Sequence, residues 1–222
     1  MPPVPIAVLV SGRGSNLQAL LDATREGAPG RVALVISDRK DAGALDVARH
    51  AGVAAEWVSA DGSESDATLA LLAKHRIGLV VLAGYLKRVS DRVVAAFKGR
   101  IVNVHPALLP AFGGPGMYGR RVHEAVLKSG ARLSGATVHV VDEQYDHGPV
   151  LAQWPVPVRR GDTAELLAAR VLAVEHRLLP VVVLACCARI QSGAEPAALA
   201  ASADAFSLST TLPDFRHALV PA

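Results

Sequence analysis

Cysteine, aromatic side chains and charge are all scarce in this chain of 222 residues, and each shortage removes a class of protein. Two cysteines, adjacent at Cys186 and Cys187 in an apolar run, cannot build a disulfide framework and make a poor metal site. They read as small buried hydrophobes in a reducing compartment. Charged residues are 19% of the chain and hydrophobic ones 51%, which excludes a disordered or fibrous protein. The net charge is only +3 and the cations are scattered, so no basic stripe marks a nucleic-acid partner. Met1 to Ile6 carry no basic region leading into a signal-length apolar stretch, and the run Leu178–Ala188 is too short to span a bilayer. The expectation is a cytoplasmic protein without a membrane partner, monomeric or homodimeric, acting on small molecules.

Short β-branched runs alternate with helical patterns over the first two-thirds of the chain. Strands are expected at Pro5–Val10, Val32–Ser37, Ala54–Val58, Gly78–Ala83 and Ile101–Val104. Helices are expected between them, from Ser15 to about Glu26 and over Gly43–Ala51, Ser65–His75 and Ser90–Phe97. Unbroken apolar runs of this kind, each followed by a helix, predict an α/β fold: a mostly parallel twisted sheet with helices on both faces. A Gly/Pro-rich stretch, Pro106–Gly119, then leads into a helix over Arg121–Ser129, extended segments at Ala136–Val141 and Val150–Val158, and a long helix from Thr163 to about Arg189. Pro180 should bend or interrupt that helix. The chain reads as one domain over 1–222, with a nucleotide-binding-like half (1–104), a more irregular half (105–191) and an Ala/Ser-rich tail (192–222).

Ser11-Gly12-Arg13-Gly14-Ser15-Asn16 lies between a strand and a helix. The glycines allow a tight turn and close approach of a ligand to the backbone. Ser15 and Gln18 have the spacing of a capping box, which would start the helix at Ser15. Exposed amides and the helix dipole there make an anion site, against the plainer reading of a well-capped turn. A dinucleotide site, with Asp38 gripping a ribose, would need glycine where Leu17 stands. The loop suits one phosphate.

Asn103-Val104-His105-Pro106 ends the fifth strand. With a period of two, Asn103 and His105 share a side while Val104 enters the core. An amide and a protonated imidazole at a strand's C-terminal end can donate to an oxyanion. Asp146, in the loop Asp142–Gly148, would raise the His105 pKa if folded beside it; an ordinary acidic surface loop is the alternative. His139, Asp142, Asp146 and His147 have no compact metal-ligand spacing, so no metal is expected.

The segments SGRGSNLQALL, LAGYLKRVS, NVHPALLPAF and GATVHVVDEQYDHGPVLAQ together resemble the glycinamide ribonucleotide formyltransferases, in order and in register from about Ile6 to Pro180. The resemblance implies a formyltransferase-type Rossmann-like fold and formyl transfer from 10-formyltetrahydrofolate, as co-substrate, to the amine of glycinamide ribonucleotide in purine synthesis. It implies that Gly14, Ser15, Asn16 and Glu175 hold the phosphoribosyl substrate. Leu86, Lys87, Arg88 and Val89, with Asn103, would line the folate pocket, and 105–191 would be the folate and catalytic half. Asn103, His105 and Asp146 would be catalytic, with Asn103 and protonated His105 stabilising the oxyanion and Asp146 keeping His105 charged.

Three departures stand out. Gly62-Ser63-Glu64-Ser65-Asp66 lacks the arginine common after the family's third strand. Phe112–Arg121 (FGGPGMYGRR) differs from the shorter common form. Lys87-Arg88 puts two cations where one is usual. Methionyl-tRNA formyltransferase and formyltetrahydrofolate hydrolase share the NVHPALLP region, but the first carries a further tRNA domain and the second a leading regulatory domain. A non-catalytic nucleotide-binding module would lack Asn103, His105 or Asp146.

Overall fold

The apolar run Val4–Val10 forms β1, an interior strand, third in a seven-stranded sheet, and only Pro5 in it escapes full burial. The computed structural model describes residues 1–59, 64–201 and 219–221. Parallel neighbours of β1 are β2 (Gly30–Ser37) and β4 (Leu79–Leu82), flanked in turn by β3 (Ala54–Trp57) and β5 (Ile101–His105). Then β6 (Leu133–Val140) and β7 (Val150–Pro157) add antiparallel, giving the order β3-β2-β1-β4-β5-β6-β7. The sheet is mixed and mostly parallel, as the apolar runs require.

Both faces are covered. Ile6, Val8 and Val10 enter a core shared with α1 (Ser15–Ala23), α2 (Gly43–His50), α5 (Arg120–Ser129) and α6 (Ala164–Gln191). Ala7 and Leu9 enter the opposite core, under α3 (Glu64–Lys74) and α4 (Asp91–Ala96). This period-two division explains why the central strands are apolar throughout rather than alternating. The chain changes direction across the sheet between β1 and β4, and their C-terminal ends open the crevice where sheets of this kind take ligands.

Several expectations need correction. Helix α1 begins at Ser15 as expected, but Gly14, in the left-handed region at φ 89°, is its N-cap, and no side chain caps it. Ser15 is already helical, and Gln18 reaches Asp22 instead of turning back, so the capping box does not form. The helix ends at Ala23 rather than near Glu26, where Thr24 turns its hydroxyl onto the Leu20 carbonyl. Pro180 does not interrupt α6: the helix runs from Ala164 to Gln191. Proline removes one hydrogen bond there, and burial of Leu178, Leu179, Val182 and Val183 around it holds the helix together.

The apolar stretch is also longer than Leu178–Ala188. All of α6 is long and apolar enough to cross a membrane, yet its buried side chains pack into the sheet's larger core. Cys186 and Cys187 lie in that core, and burial pushes both thiols up to about 12, leaving them inert. The tail contributes a two-stranded pair, β8 (Leu199–Ala201) with β9 (Leu219–Pro221). Residues 202–218 and 222 of the tail, and before it the departures at Gly62 and Ser63, lie outside the described residues.

Gly14 shows how the loop is built. A Cβ there would stand 2.8 Å from the Ala44 Cα, on a backbone that disfavours L side chains, whereas a Cβ on Gly12 would meet nothing within 4 Å. Gly14→Ala should therefore lower stability in urea by about 1–3 kcal/mol through overpacking and strain. Gly12→Ala should change it by under about 0.5 kcal/mol. Equal unfolding midpoints for the two variants would refute the contact between the loop and α2.

Candidate active site

A cavity of about 830 Å³ opens at the C-terminal ends of β1, β4 and β5, and every site residue expected from the sequence lines it. At one end lies the Gly-rich loop. Its position is fixed by the Ala44 amide on the Gly12 carbonyl (3.1 Å) and the Ser11 amide on the Gly84 carbonyl (3.1 Å). Because no side chain caps α1, its first-turn amides remain available to a ligand.

Asn16 turns inward, 8% exposed, and donates through Nδ2 to Glu175 Oε2 at 2.7 Å, while its Oδ1 has no partner. Glu175 arrives from α6 and is itself buried. Burial pushes its carboxyl above the usual range, and the Asn16 amide only partly offsets this. A buried, incompletely satisfied amide–carboxyl pair beside an uncapped helix suits a hydroxylated, phosphorylated ligand.

The Asn103–His105–Asp146 cluster gathers at the end of β5. Val102 and Val104 enter the larger core, so Asn103 and His105 point the other way. Asp146 reaches them from the loop after β6. Its Oδ2 lies 3.5 Å from His105 Nδ1 and accepts from the Gly114 amide at 2.9 Å; its Oδ1 lies 3.5 Å from His139 Nε2. Burial pushes the Asp146 carboxyl up, but His139, His105 and the Gly114 amide leave it below the usual value.

For His105, burial lowers the pKa more than the Asp146 charge and the Phe112 carbonyl raise it. The expected Asp146 effect is therefore present, but it does not prevail over desolvation. Nor is a ring N–H free for an oxyanion: Nε2 donates to the Phe112 carbonyl (2.9 Å) and Nδ1 faces Asp146.

His139, weighed from the sequence only as a metal ligand, is the neighbour of Asn103 that sequence reasoning missed. It stands opposite Asn103 in the antiparallel β5–β6 register and is 1% exposed. Its Nδ1 donates to the Val140 carbonyl (2.9 Å), so Nε2 accepts from Asn103 Nδ2 at 3.0 Å. That bond leaves the other Asn103 N–H for the cavity. The alternation of ATVHVV places His139 on one face of a strand, but nothing local reveals its partner across the sheet.

The four residues weighed for a metal divide instead into two pairs, His139 beside Asp146 and His147 beside Asp142 (3.1 Å). Among the described residues no group of three or more His, Cys, Asp or Glu is arranged to hold a metal ion.

The unusual stretch Phe112–Arg121 forms a strap along the site. Phe112 at φ 57° aims its carbonyl at His105, Gly114 at φ 95° gives its amide to Asp146, and Met117 and Tyr118 line the cavity. A Cβ on Gly113 would meet Leu109 Cδ2 at 2.5 Å and Asp146 Cβ at 3.1 Å, so glycine is what admits the carboxylate. Thr137 and Gln153 fix the strap's root through the Ala107 carbonyl (2.6 Å) and the Leu109 carbonyl (2.7 Å). In the segment Leu86–Val89, Leu86 donates its amide to Ser11 Oγ (2.9 Å). Arg88 pairs with Asp91 and reaches the Glu143 carbonyl, whereas Lys87 is exposed with no ion-pair partner among the described residues.

Residues 4–183 match the family model described as formyl transferase. The chain belongs to the formyl transferase family. It is 46% identical over 189 residues to the chloroplastic phosphoribosylglycinamide formyltransferase of Arabidopsis thaliana, with 82% of this chain and 65% of that protein covered. It is 38% identical over 184 residues to phosphoribosylglycinamide formyltransferase of Escherichia coli strain K12, covering 80% and 84% respectively. The solved glycinamide ribonucleotide transformylase 1 of Symbiobacterium toebii superposes with a TM-score of 0.79 at 40% identity, covering 90% of this chain and 92% of that one. The chain thus spans slightly under two-thirds of the Arabidopsis protein, and 60% of a chloroplastic relative from Vigna unguiculata.

Two outcomes test the site's construction. A carboxyl whose folded pKa is raised contributes stability that is complete below its unfolded value and is lost as pH rises through the folded one. Glu175→Gln should accordingly raise the Tm increasingly above the ordinary glutamate value of 4.5 and leave it unchanged at more acidic pH. A pH-independent difference would disprove the assignment. His139→Ala removes one hydrogen bond that orients Asn103, a loss of about 1 kcal/mol. It should lower kcat roughly fivefold to tenfold with KM preserved; unchanged kcat would show that Asn103 is oriented without it.

Proposed function

We propose that this chain transfers the formyl group of 10-formyltetrahydrofolate to the amine of 5'-phosphoribosylglycinamide in purine synthesis. The observation that carries this reading is one cavity that joins an uncapped phosphate loop, the Asn103–His105–Asp146 cluster and the segment Leu86–Val89. A small phosphorylated amine anchored at the loop can reach the reaction centre while a folate enters beside Leu86–Val89. The family and the named relatives support the same chemistry. Because plant relatives are named chloroplastic, the cytoplasmic placement proposed here belongs to this chain and not to the chemistry.

In the proposed reaction the glycinamide nitrogen attacks the formyl carbon, a C–N bond forms, and the carbonyl electron pair moves onto oxygen. Asn103 donates its remaining N–H to that oxygen. The developing negative charge raises the proton affinity of His105, which Asp146 already favours, so the ring becomes charged by taking up the proton that the attacking amine releases, and it returns that proton to the leaving nitrogen on collapse. Collapse restores the carbonyl and breaks the bond to the folate nitrogen. The attacking amine loses one proton and the leaving nitrogen gains one, which balances the transfer. No metal or nicotinamide is needed for that balance, and a chelator should leave the rate unchanged.

Purified protein should release tetrahydrofolate from 10-formyltetrahydrofolate only when the ribonucleotide is supplied, with the formyl group recovered on its amine. Equal turnover without the ribonucleotide would make the chain a hydrolase, and comparable kcat/KM on methionyl-tRNA would make it the tRNA enzyme. Asn103→Ala should cut kcat by roughly 10²–10³, the usual loss for one oxyanion donor. Asp146→Asn should cut it by roughly 10²–10⁴. Since Asp146 raises the His105 pKa, its removal should also move the alkaline limb of the rate profile to lower pH. An unmoved limb would dissociate Asp146 from His105.

A further inference from the structure

A phosphate dianion calls for cations, and the residues carried over by resemblance supply none. Of the residues carried over for the substrate, Gly14, Ser15 and Asn16 offer amides and a hydroxyl, and Glu175 a carboxyl. Five cationic side chains line the cavity: Arg13, Arg39, Lys87, Arg88 and Arg120. Two are engaged, Arg88 with Asp91 and Arg120 with Glu124 and Glu165. Lys87 belongs to the segment after β4. Arg13 and Arg39 remain, both exposed and neither in an ion pair among the described residues.

They occupy adjoining loops at the same end of the cavity. Arg13 stands between Gly12 and Gly14. Arg39 opens the turn from β2 to α2, and the start of α2 is fastened to Gly12 by the Ala44 amide at 3.1 Å. A Cβ on Gly43 would stand 3.6 Å from the Arg13 carbonyl, so the two loops touch. A separate feature points to a ligand here: Asn16 is 8% exposed, and its unpartnered Oδ1 lacks a donor of the kind a sugar hydroxyl provides. The guanidinium fork matches a phosphate in geometry and charge.

We propose that Arg13 and Arg39 form the guanidinium clamp for the substrate's phosphate and set the preference for a phosphorylated over an unphosphorylated acceptor. The inference rests on the acceptor being a phosphorylated amine. Removing either guanidinium should weaken affinity for the phosphorylated acceptor about tenfold or more.

The test compares the ribonucleotide with its dephosphorylated nucleoside as acceptors, for the full chain and for Arg13→Ala, Arg39→Ala and the double variant. Each single variant should raise KM for the ribonucleotide at least about tenfold, with the loss in KM rather than kcat. KM for the nucleoside and for 10-formyltetrahydrofolate should move less than about twofold. The double variant should treat the two acceptors nearly alike, and the salt dependence of ribonucleotide KM should flatten. Arg13→Lys and Arg39→Lys should retain part of the preference. If the unsubstituted chain formylates the ribonucleotide and the variants match it, or lose equally on both acceptors, the clamp is overturned and the function stands. If the unsubstituted chain does not use the ribonucleotide, both are overturned.

Discussion

A carboxylate as sheltered as Asp146, whose side chain is 11% exposed, keeps its charge only where fixed groups replace the water it has lost. The Gly114 amide does so here, the rings of His105 and His139 stand 3.5 Å from its two oxygens, and holding all three in place occupies much of the surrounding chain. The strap delivers the Gly114 amide, β5 delivers His105, and β6 delivers His139. Asp146 itself adopts φ 53°, in the left-handed region. The turn beside it closes because Gly148 has no Cβ, which would stand 2.0 Å from the Val140 carbonyl. Strap, strands and turn thus form one arrangement around a single charge.

The other end of the cavity is built at a cost as well. A helix start with glycine at its N-cap forgoes roughly a few tenths of a kcal/mol that a serine or aspartate cap supplies, and Glu175 sits buried with one amide for company. These penalties are borne by the two cores, where β1, α1 and α6 bury aliphatic side chains on both faces of the sheet. Function concentrates where local rules are broken, and packing elsewhere makes that tolerable.

The sheet and its helices were legible because each strand's apolar run and each helix's spacing are local signals. The sharing of a face by Asn103 and His105 was legible for the same reason: β geometry fixes it without reference to the rest of the chain. What failed was local pattern without local conformation. Ser15 and Gln18 have the spacing of a capping box, but the left-handed Gly14 takes the N-cap and shifts Ser15 into the helix. The partnership of Asn103 with His139 crosses 36 positions of sequence and depends on the β5–β6 register. Likewise the balance at His105 is set by desolvation, which belongs to the fold. A neighbouring aspartate in the motif announces only the opposing contribution.

That balance bears on how such a site separates ground state from transition state. With its Nε2 proton on the Phe112 carbonyl, His105 is engaged before substrate arrives, and Nδ1 stands 3.5 Å from Asp146. A formyl oxygen in the ground state is a neutral acceptor, no better than the carbonyl it would displace, so exchange brings no gain. An oxyanion accepts a hydrogen bond roughly twice as strong, and it raises the proton affinity of the ring at the same moment. In the proposed reaction the exchange therefore becomes favourable only as charge develops. An interaction absent from the ground state lowers the barrier without tightening substrate binding. The Phe112 carbonyl, held by a strap whose root is fastened to Thr137 and Gln153, acts as the reference against which the imidazole measures that charge.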